Sequence, residues 1–455
     1  MRNSIRPTSH GNRLLRAGTT IVAALALVGF SLSPAVAAGG PATPASPTTE
    51  QYEYVNWDCG YPMQVRGEST NNRRVRPNPA GGDDLFIENF AFAETWTNSA
   101  GDSFGLSARG LAKEWKAKSL GGSLYEISGQ ISGQPQVVTV DGAVIARDRG
   151  LVSYRFTRDV TGAGEFLGVK VNGPHPGFDT DLCLIVAPFV GNTSAEHQTP
   201  RPLGTTDAGM GYYEYLPPSY DETGAGSPLL IHANGYGENG DGSAEGLGSL
   251  LFSSIPRFIN VGGWPLDRPF VVLSTQHIEQ PGGLGPSCDG VQWPGTCIMQ
   301  LQHDAGHPPQ SPCTTPGELH DFISYAIANY HVDPAHIYVT GLSCGAFGVW
   351  EYLAAYGDQQ VAAAVPIAGN GGPAWATSGC GLRAVPIWAF AGELDDVVNP
   401  LGSIDTINSL SACPGVTPDR AQLTTYPDLF HEGWDQAYSG SRGQDIYTWM
   451  LSYSH

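Results

Sequence analysis

Basic residues are scarce in this chain: 23 Lys and Arg stand against 43 Asp and Glu in 455 residues, a formal net charge of −20. Nucleic acid and anionic membrane surfaces repel such a chain unless its cations are gathered into one patch. No basic run offers one; the nearest, residues 66–76, is short and Asn-rich. No nucleic-acid partner is therefore expected. Long apolar runs are missing too. The run at 17–32 is interrupted by Gly29 and Ser31 and falls below the roughly 20 residues a membrane span requires. Cysteines number eight and none is spaced C-x-x-C, so a zinc site built from them with His303 and His307 is not supported. Residues 238–242 lack the terminal Glu of an EF-hand loop. Neither a metal nor a cofactor is expected. What the chain does have is 41% hydrophobic and 10% aromatic residues, enough apolar surface to exclude disorder over most of its length.

The N-terminus reads as an address. Arg2, Arg6, Arg13 and Arg16 flank the apolar run, and Ala35-Val36-Ala37 supplies the small residues of a cleavage site. Residues 1–37 are expected to be a secretory signal peptide, and the mature protein to be secreted, with its cysteines in an oxidising compartment. Residues 38–50 are a Pro/Thr/Ser/Ala linker with nothing to bury. Residues 51–191 alternate with period two over strand lengths, at 84–97, 103–108, 137–146, 151–157 and 166–171, with Gly-Gly, Asp-Gly and Thr-Gly turns between them. That pattern predicts an all-β, sandwich-like domain, with Cys59 and Cys183 joining its first and last strands. Residues 192–203, carrying Pro200 and Pro202, read as a second linker.

From residue 204 to 455 strands alternate with helices. Apolar strands are expected at 212–216, 229–233, 270–274, 337–340, 361–367, 385–391 and 422–426. Helices are expected at 316–330, 346–356, 404–410 and 446–453. The fold class is α/β, a mostly parallel sheet covered on both faces.

Gly341-Leu342-Ser343-Cys344-Gly345 lies between the strand at 337–340 and the helix that begins near Ala346. G-x-S-x-G alone has many chance matches, but a strand-to-helix turn is the position a nucleophile elbow requires. Ser343 is the candidate nucleophile. Its partners should follow in the order acid, then histidine, each after a later strand. Gly392-Glu393-Leu394-Asp395-Asp396 follows the strand at 385–391, with Asp395 as first choice and Asp396 as second. His431 follows the strand at 422–426 and is the candidate base. The oxyanion hole needs two backbone N–H groups. These are assigned to Cys344 and to Tyr236 in the Asn234-Gly235-Tyr236-Gly237 loop.

These stretches, with Val332-Asp333-Pro334 ahead of the elbow and the 426–434 tail, resemble secreted α/β-hydrolase esterases of the polyhydroxyalkanoate-depolymerase, feruloyl-esterase and "predicted peptidase" group. The resemblance covers about the last 245 residues. It implies an α/β-hydrolase fold, with Ser343, Asp395 and His431 as triad and Tyr236 and Cys344 as oxyanion donors. Three departures stand out: Asn234-Gly235 in place of the usual His-Gly, a Cys after the serine, and Gly345-Ala346 in place of Gly-Gly.

Cys380–Cys413 is an expected bridge. Cys344 either pairs with Cys288, Cys297 or Cys313 or stays free. Trp293, Trp375 and Trp434 fall on loops at one sheet edge, where they line a substrate cleft or cap the core. The expected partner is an ester, polymeric or small, with no membrane span. The competing expectations are a peptidase with the same triad and a non-catalytic surface-binding protein. A peptidase's lid or propeller domain is not recognisable in the sequence. Oligomeric state is not legible.

Overall fold

The computed structural model describes residues 47–78, 84–122, 124–159, 166–176, 180–278 and 311–455. The expected signal peptide, Cys288, Cys297 and Trp293 lie outside them. Two units divide the chain: the first ends at Gly191, and the second holds Asn192–His455 together with Cys59–Tyr61.

The first unit is antiparallel throughout. Its strands are β1 (Thr48–Asn56), β2 (Met63–Arg76), β3 (Leu85–Thr97), β4 (Ser103–Gly121), β5 (Leu124–Val140), β6 (Ala143–Arg147), β7 (Gly150–Asp159) and β8 (Phe166–Asn172). They form one sheet in the order β1-β2-β3-β4-β5-β7-β8, with β6 paired to β5. The unit is all-β as expected, but its hydrogen bonding runs through a single sheet rather than two stacked ones. Consecutive strands pair antiparallel, except that β7 lies beside β5 rather than beside β6. Residues 137–146, expected as one strand, turn back at Asp141 and Gly142, whose φ values are 49° and 77°. Two consecutive positive φ angles are what a tight two-residue hairpin demands. β3 alternates buried and exposed residues almost without fault, the mark of a sheet with one face on the core.

Leu182–Val190, read as part of the β region, is instead a helix, α1. Its run Leu-Cys-Leu-Ile-Val is too short for periodicity to separate strand from helix. Asp181 decides the matter locally, its carboxylate accepting the Cys183 N–H at 2.9 Å as an N-cap. Cys183 therefore sits in a helix and Cys59 in a turn, not in strands; both are disulfide-bonded.

The second unit begins where a linker was expected. Thr193–His197 is a 3-10 turn whose Ser194 hydroxyl donates to Ile259 O at 2.9 Å. Gln198–Arg201 is a strand, β9, paired antiparallel with β10 (Gly211–Tyr215). The Arg201 guanidinium grips the Glu214 carboxylate with two hydrogen bonds, at 2.8 and 3.2 Å. Pro200 is tolerated because β9 is an edge strand with one unpaired side.

The remaining elements follow in order: β11 (Ser227–Ala233), α2 (Ser254–Asn260), β12 (Val271–Gln276), α3 (Pro316–Asn329), β13 (Val332–Leu342), α4 (Cys344–Tyr356), β14 (Ala363–Ile367), α5 (Gly372–Ser378), β15 (Ile387–Gly392), α6 (Leu401–Ser411), β16 (Ala421–Tyr426), α7 (Trp434–Ser439) and α8 (Ile446–Leu451). The sheet order is β16-β15-β14-β13-β11-β12-β10-β9, parallel from β16 to β12. One core, with Ile231, Val339 and Trp350, lies on one face; another, with Leu230, Tyr338 and Phe390, lies on the other. This is the α/β-hydrolase arrangement, and it aims the carboxyl ends of β11, β13, β15 and β16 at one edge.

Candidate active site

Ser343 is the residue between β13 and α4. Its φ of 50° and ψ of −115° are strained for a residue with a Cβ. The strain is held by the Ser343 N–H, which donates to Ile367 O at 2.9 Å, and by two glycines. A Cβ on Gly341 would lie 2.6 Å from Gly345 C, and one on Gly345 would collide with Ala233 O. The pentapeptide's glycines are thus required by close backbone approach across the turn.

His431 Nε2 is 2.8 Å from Ser343 Oγ, and His431 Nδ1 is 2.8 Å from Asp395 Oδ2. The other Asp395 oxygen accepts the N–H groups of Val397 and Val398, at 2.9 and 2.8 Å. Asp395 is buried and Asp396 exposed. Of the two adjacent carboxylates, only Asp395 reaches the imidazole. Trp434, first residue of α7, packs edge-on to the His431 ring with centroids 5.3 Å apart. Trp375 on α5 packs against the core instead.

Cys344 opens α4, so its N–H belongs to the first helical turn and has no intrahelical acceptor. Its sulfur is bridged to Cys313, resolving the expected alternatives, and Cys380 is bridged to Cys413 as expected. Tyr236 opens a short 3-10 turn (Tyr236–Glu238) and packs on the cluster of Cys313, Cys344, Phe347 and Val398. Both assigned oxyanion donors therefore border one small cluster.

Several residues that shape this region were not anticipated. Asn234 accepts from the His277 N–H at 2.8 Å and donates to Gly235 O and Asn239 Oδ1, each at 2.8 Å. Glu238 accepts the Gly235 N–H at 2.9 Å and the Ser253 hydroxyl. Gln276 accepts the Gly242 N–H and donates to Gly246 O and Ser249 Oγ. The loop after β11 is thus fastened at three points by buried polar side chains. Asn234, the departure from the usual His-Gly, is one of them.

Buried His277 lies 3.3 Å from Glu318, the capping-box residue of α3. Burial alone would lower the His277 pKa, but the hydrogen bond and charge of Glu318 outweigh it and the net shift is upward. Burial likewise would raise Glu318, and His277 with Thr315 holds it below its ordinary value. A second Ser–His contact, Ser254 Oγ to His232 Nε2 at 3.0 Å, is wholly buried. Burial pushes His232 down to about 3, so the ring is neutral and out of reach of any substrate. Among the described residues no cluster of three or more His, Cys, Asp or Glu is arranged to hold a metal ion, and no helix is long and apolar enough to cross a membrane.

No family model and no curated protein sequence matches this chain. Among solved structures it is similar to a thermostable esterase (19% identity, 86% of this chain and 96% of that one, TM-score 0.40). It is also similar to an acetyl xylan esterase from Aspergillus awamori (14% identity, 53% and 98%, TM-score 0.33). One structure from a study of two prolyl endopeptidases matches at 11% identity over 89% and 82%, with a TM-score of 0.36.

Proposed function

We propose that this chain is an exported serine hydrolase that cleaves carboxylic esters through a Ser343–His431–Asp395 triad. The observation that carries the reading is the continuous hydrogen-bonded path from Ser343 Oγ through the imidazole to a buried carboxylate, both links at 2.8 Å. A hydroxyl is a weak nucleophile until a base takes its proton. His431 Nε2 accepts that proton as Ser343 Oγ bonds to the carbonyl carbon. Asp395, held by two backbone N–H groups, fixes the ring with Nδ1–H donated to it and stabilises the imidazolium. The oxyanion is met by the Cys344 and Tyr236 N–H groups, with the N-terminal dipole of α4 adding to the field. His431 then returns the proton to the leaving alcohol. Water, activated by the same imidazole, releases the acid and regenerates Ser343.

The surroundings support an ester with an apolar portion. Phe430 and Leu394, neighbours of His431 and Asp395, are exposed at 57% and 47%, and Trp434 lines the base. The disulfides Cys313–Cys344 and Cys380–Cys413 suit an oxidising compartment. The test is a panel of p-nitrophenyl acetate, butyrate and octanoate beside peptide p-nitroanilides, with Ser343→Ala as blank. Hydrolysis of esters but not anilides is expected. Preference for anilides would make the chain a peptidase, and no turnover of either would leave it a binding protein.

A further inference from the structure

The chain's cations are not distributed like its anions. Residues 51–191 hold 13 of the 23 Lys and Arg, including every Lys, against 16 acidic residues. Residues 192–455 hold 6 Arg and 26 Asp and Glu. Sheet register then gathers those cations. On β3, residues 87, 89, 91, 93 and 95 face outward, while Phe86, Glu88, Phe90, Phe92 and Glu94 are buried. Pairing carries the outward face to Arg66 and Arg74 on β2, and to Arg109 and Lys113 on β4.

An irregularity between Glu114 and Lys116 shifts the alternation of β4 by one residue. It places Lys116 and Lys118 opposite Ser128 and Glu126, on the same face as Lys113 opposite Gln130. Through those β5 residues the face continues to Arg155 on β7 and Lys170 on β8. Among the described residues, eight cations so placed share the face with four carboxylates, Glu53, Glu68, Glu126 and, by its register position opposite Leu124, Asp159. Glu53 lies 3.3 Å from Arg66 and Glu126 3.9 Å from Arg155. A hollow of about 740 Å³ lies at the Gly110–Gly133 pairing, lined by Asn89, Phe90, Arg109, Gln134 and Arg149.

We propose that this outward face binds an acidic, carboxylate-bearing polysaccharide laid across the strands. The cations are separated by Asn72, Ser128, Gln130, Ser132 and Ser153, a mixture that meets sugar hydroxyls as well as carboxylates. A single-stranded nucleic acid requires a series of aromatic platforms for its successive bases, and among the described residues this stretch of β4 exposes one aromatic, Trp115 at 38%, between Lys113 and Lys116. An anionic membrane is held by apolar side chains together with cations, and these rows are dominated by Ser, Thr, Asn and Gln. Segregation also has a physical purpose. A chain of net charge −20 is repelled by a polyanion unless its cations act locally, within a screening length of about 8 Å at physiological salt.

The test uses the full chain in affinity electrophoresis through polygalacturonate and, separately, through neutral dextran. Retardation by polygalacturonate alone is expected, weakening roughly 10-fold or more between 50 and 500 mM salt as exposed charges are screened. Arg109→Gln combined with Lys113→Gln, Lys116→Gln and Lys118→Gln should cut the affinity by a further factor of roughly 10 at low salt, with an unchanged melting temperature. Equal retardation by dextran, salt-independent retention or an unaffected quadruple variant would overturn the proposal. So would tighter binding to a single-stranded DNA oligomer, to phosphatidylglycerol vesicles, or to a second copy of the chain in sedimentation.

Discussion

Removing the Cys313–Cys344 bridge separates two contributions that the structure joins at one residue. The bridge closes a loop of 31 residues, and Cys380–Cys413 closes one of 33. The chain-entropy relation assigns each roughly 3.7 kcal/mol at 25 °C. For a unit of this size, that converts to a fall in Tm of about 7–15 °C. Cys313→Ser/Cys344→Ser and Cys380→Ser/Cys413→Ser should therefore melt at similar, lowered temperatures in calorimetry. Their kinetics should differ. Cys344 carries an assigned oxyanion N–H, and its bridge holds the first turn of α4 against the Tyr236 cluster. Loss of that restraint should lower kcat by up to roughly 10²-fold, the scale on which a misplacement of about 1 Å acts. Cys380 follows the C-terminal end of α5 and Cys413 that of α6, while both helices begin after the carboxyl ends of strands, so their variant should keep kcat within a few-fold. Equal kcat losses in the two variants, or an intact kcat without Cys313–Cys344, would refute the reasoning.

Asp395→Asn should lower kcat by roughly 10⁴-fold, since an amide stabilises the wrong imidazole tautomer, whereas Asp396→Asn should stay near wild type; steady-state kinetics on a soluble ester decide. The His277–Glu318 pair should make stability depend on pH. The raised His277 pKa contributes fully below its unfolded value near 6.5 and is lost as pH climbs through the folded value. The lowered Glu318 pKa contributes above its unfolded value near 4.5 and is lost as pH falls through the folded value. The Tm deficit of His277→Gln should thus be greatest between about pH 4.5 and 6.5 and shrink on either side. A chain beginning at Asn192 should retain ester turnover, and one beginning at Gly204 should melt lower, because it lacks β9 and the Arg201–Glu214 pair; parallel melting curves check this.

The α/β unit was legible because each signal had one physical meaning. Apolar runs such as Val361–Ile367 are buried on both faces, and the amphipathic run at 316–330 can bury only a helical stripe. The elbow was legible because two glycines and a serine had to sit between a strand and a helix. What escaped the reading depends on distance in sequence. β2, with Asn-Asn-Arg-Arg in its second half, looks solvated; only pairing with β1 and β3 makes it a strand. The later half of β4 is likewise polar on its outward face. Asn234 and Gln276 act through partners tens of residues away, so no local pattern announces them, and the local Thr315-x-x-Glu318 capping box marks a helix start without announcing the distant His277 partner. The cationic face is hidden for the same reason: its residues come together only through register.

The central claim rests on Ser343 as an activated nucleophile, and a fluorophosphonate probe tests it most directly. The intact protein should be labelled at a single serine, identified by peptide mass spectrometry as Ser343. Ser343→Ala should be folded, unlabelled and inactive on p-nitrophenyl butyrate, with kcat lowered by about 10⁴-fold or more. Labelling at another serine, or ester turnover surviving in a folded Ser343→Ala protein, would contradict the account.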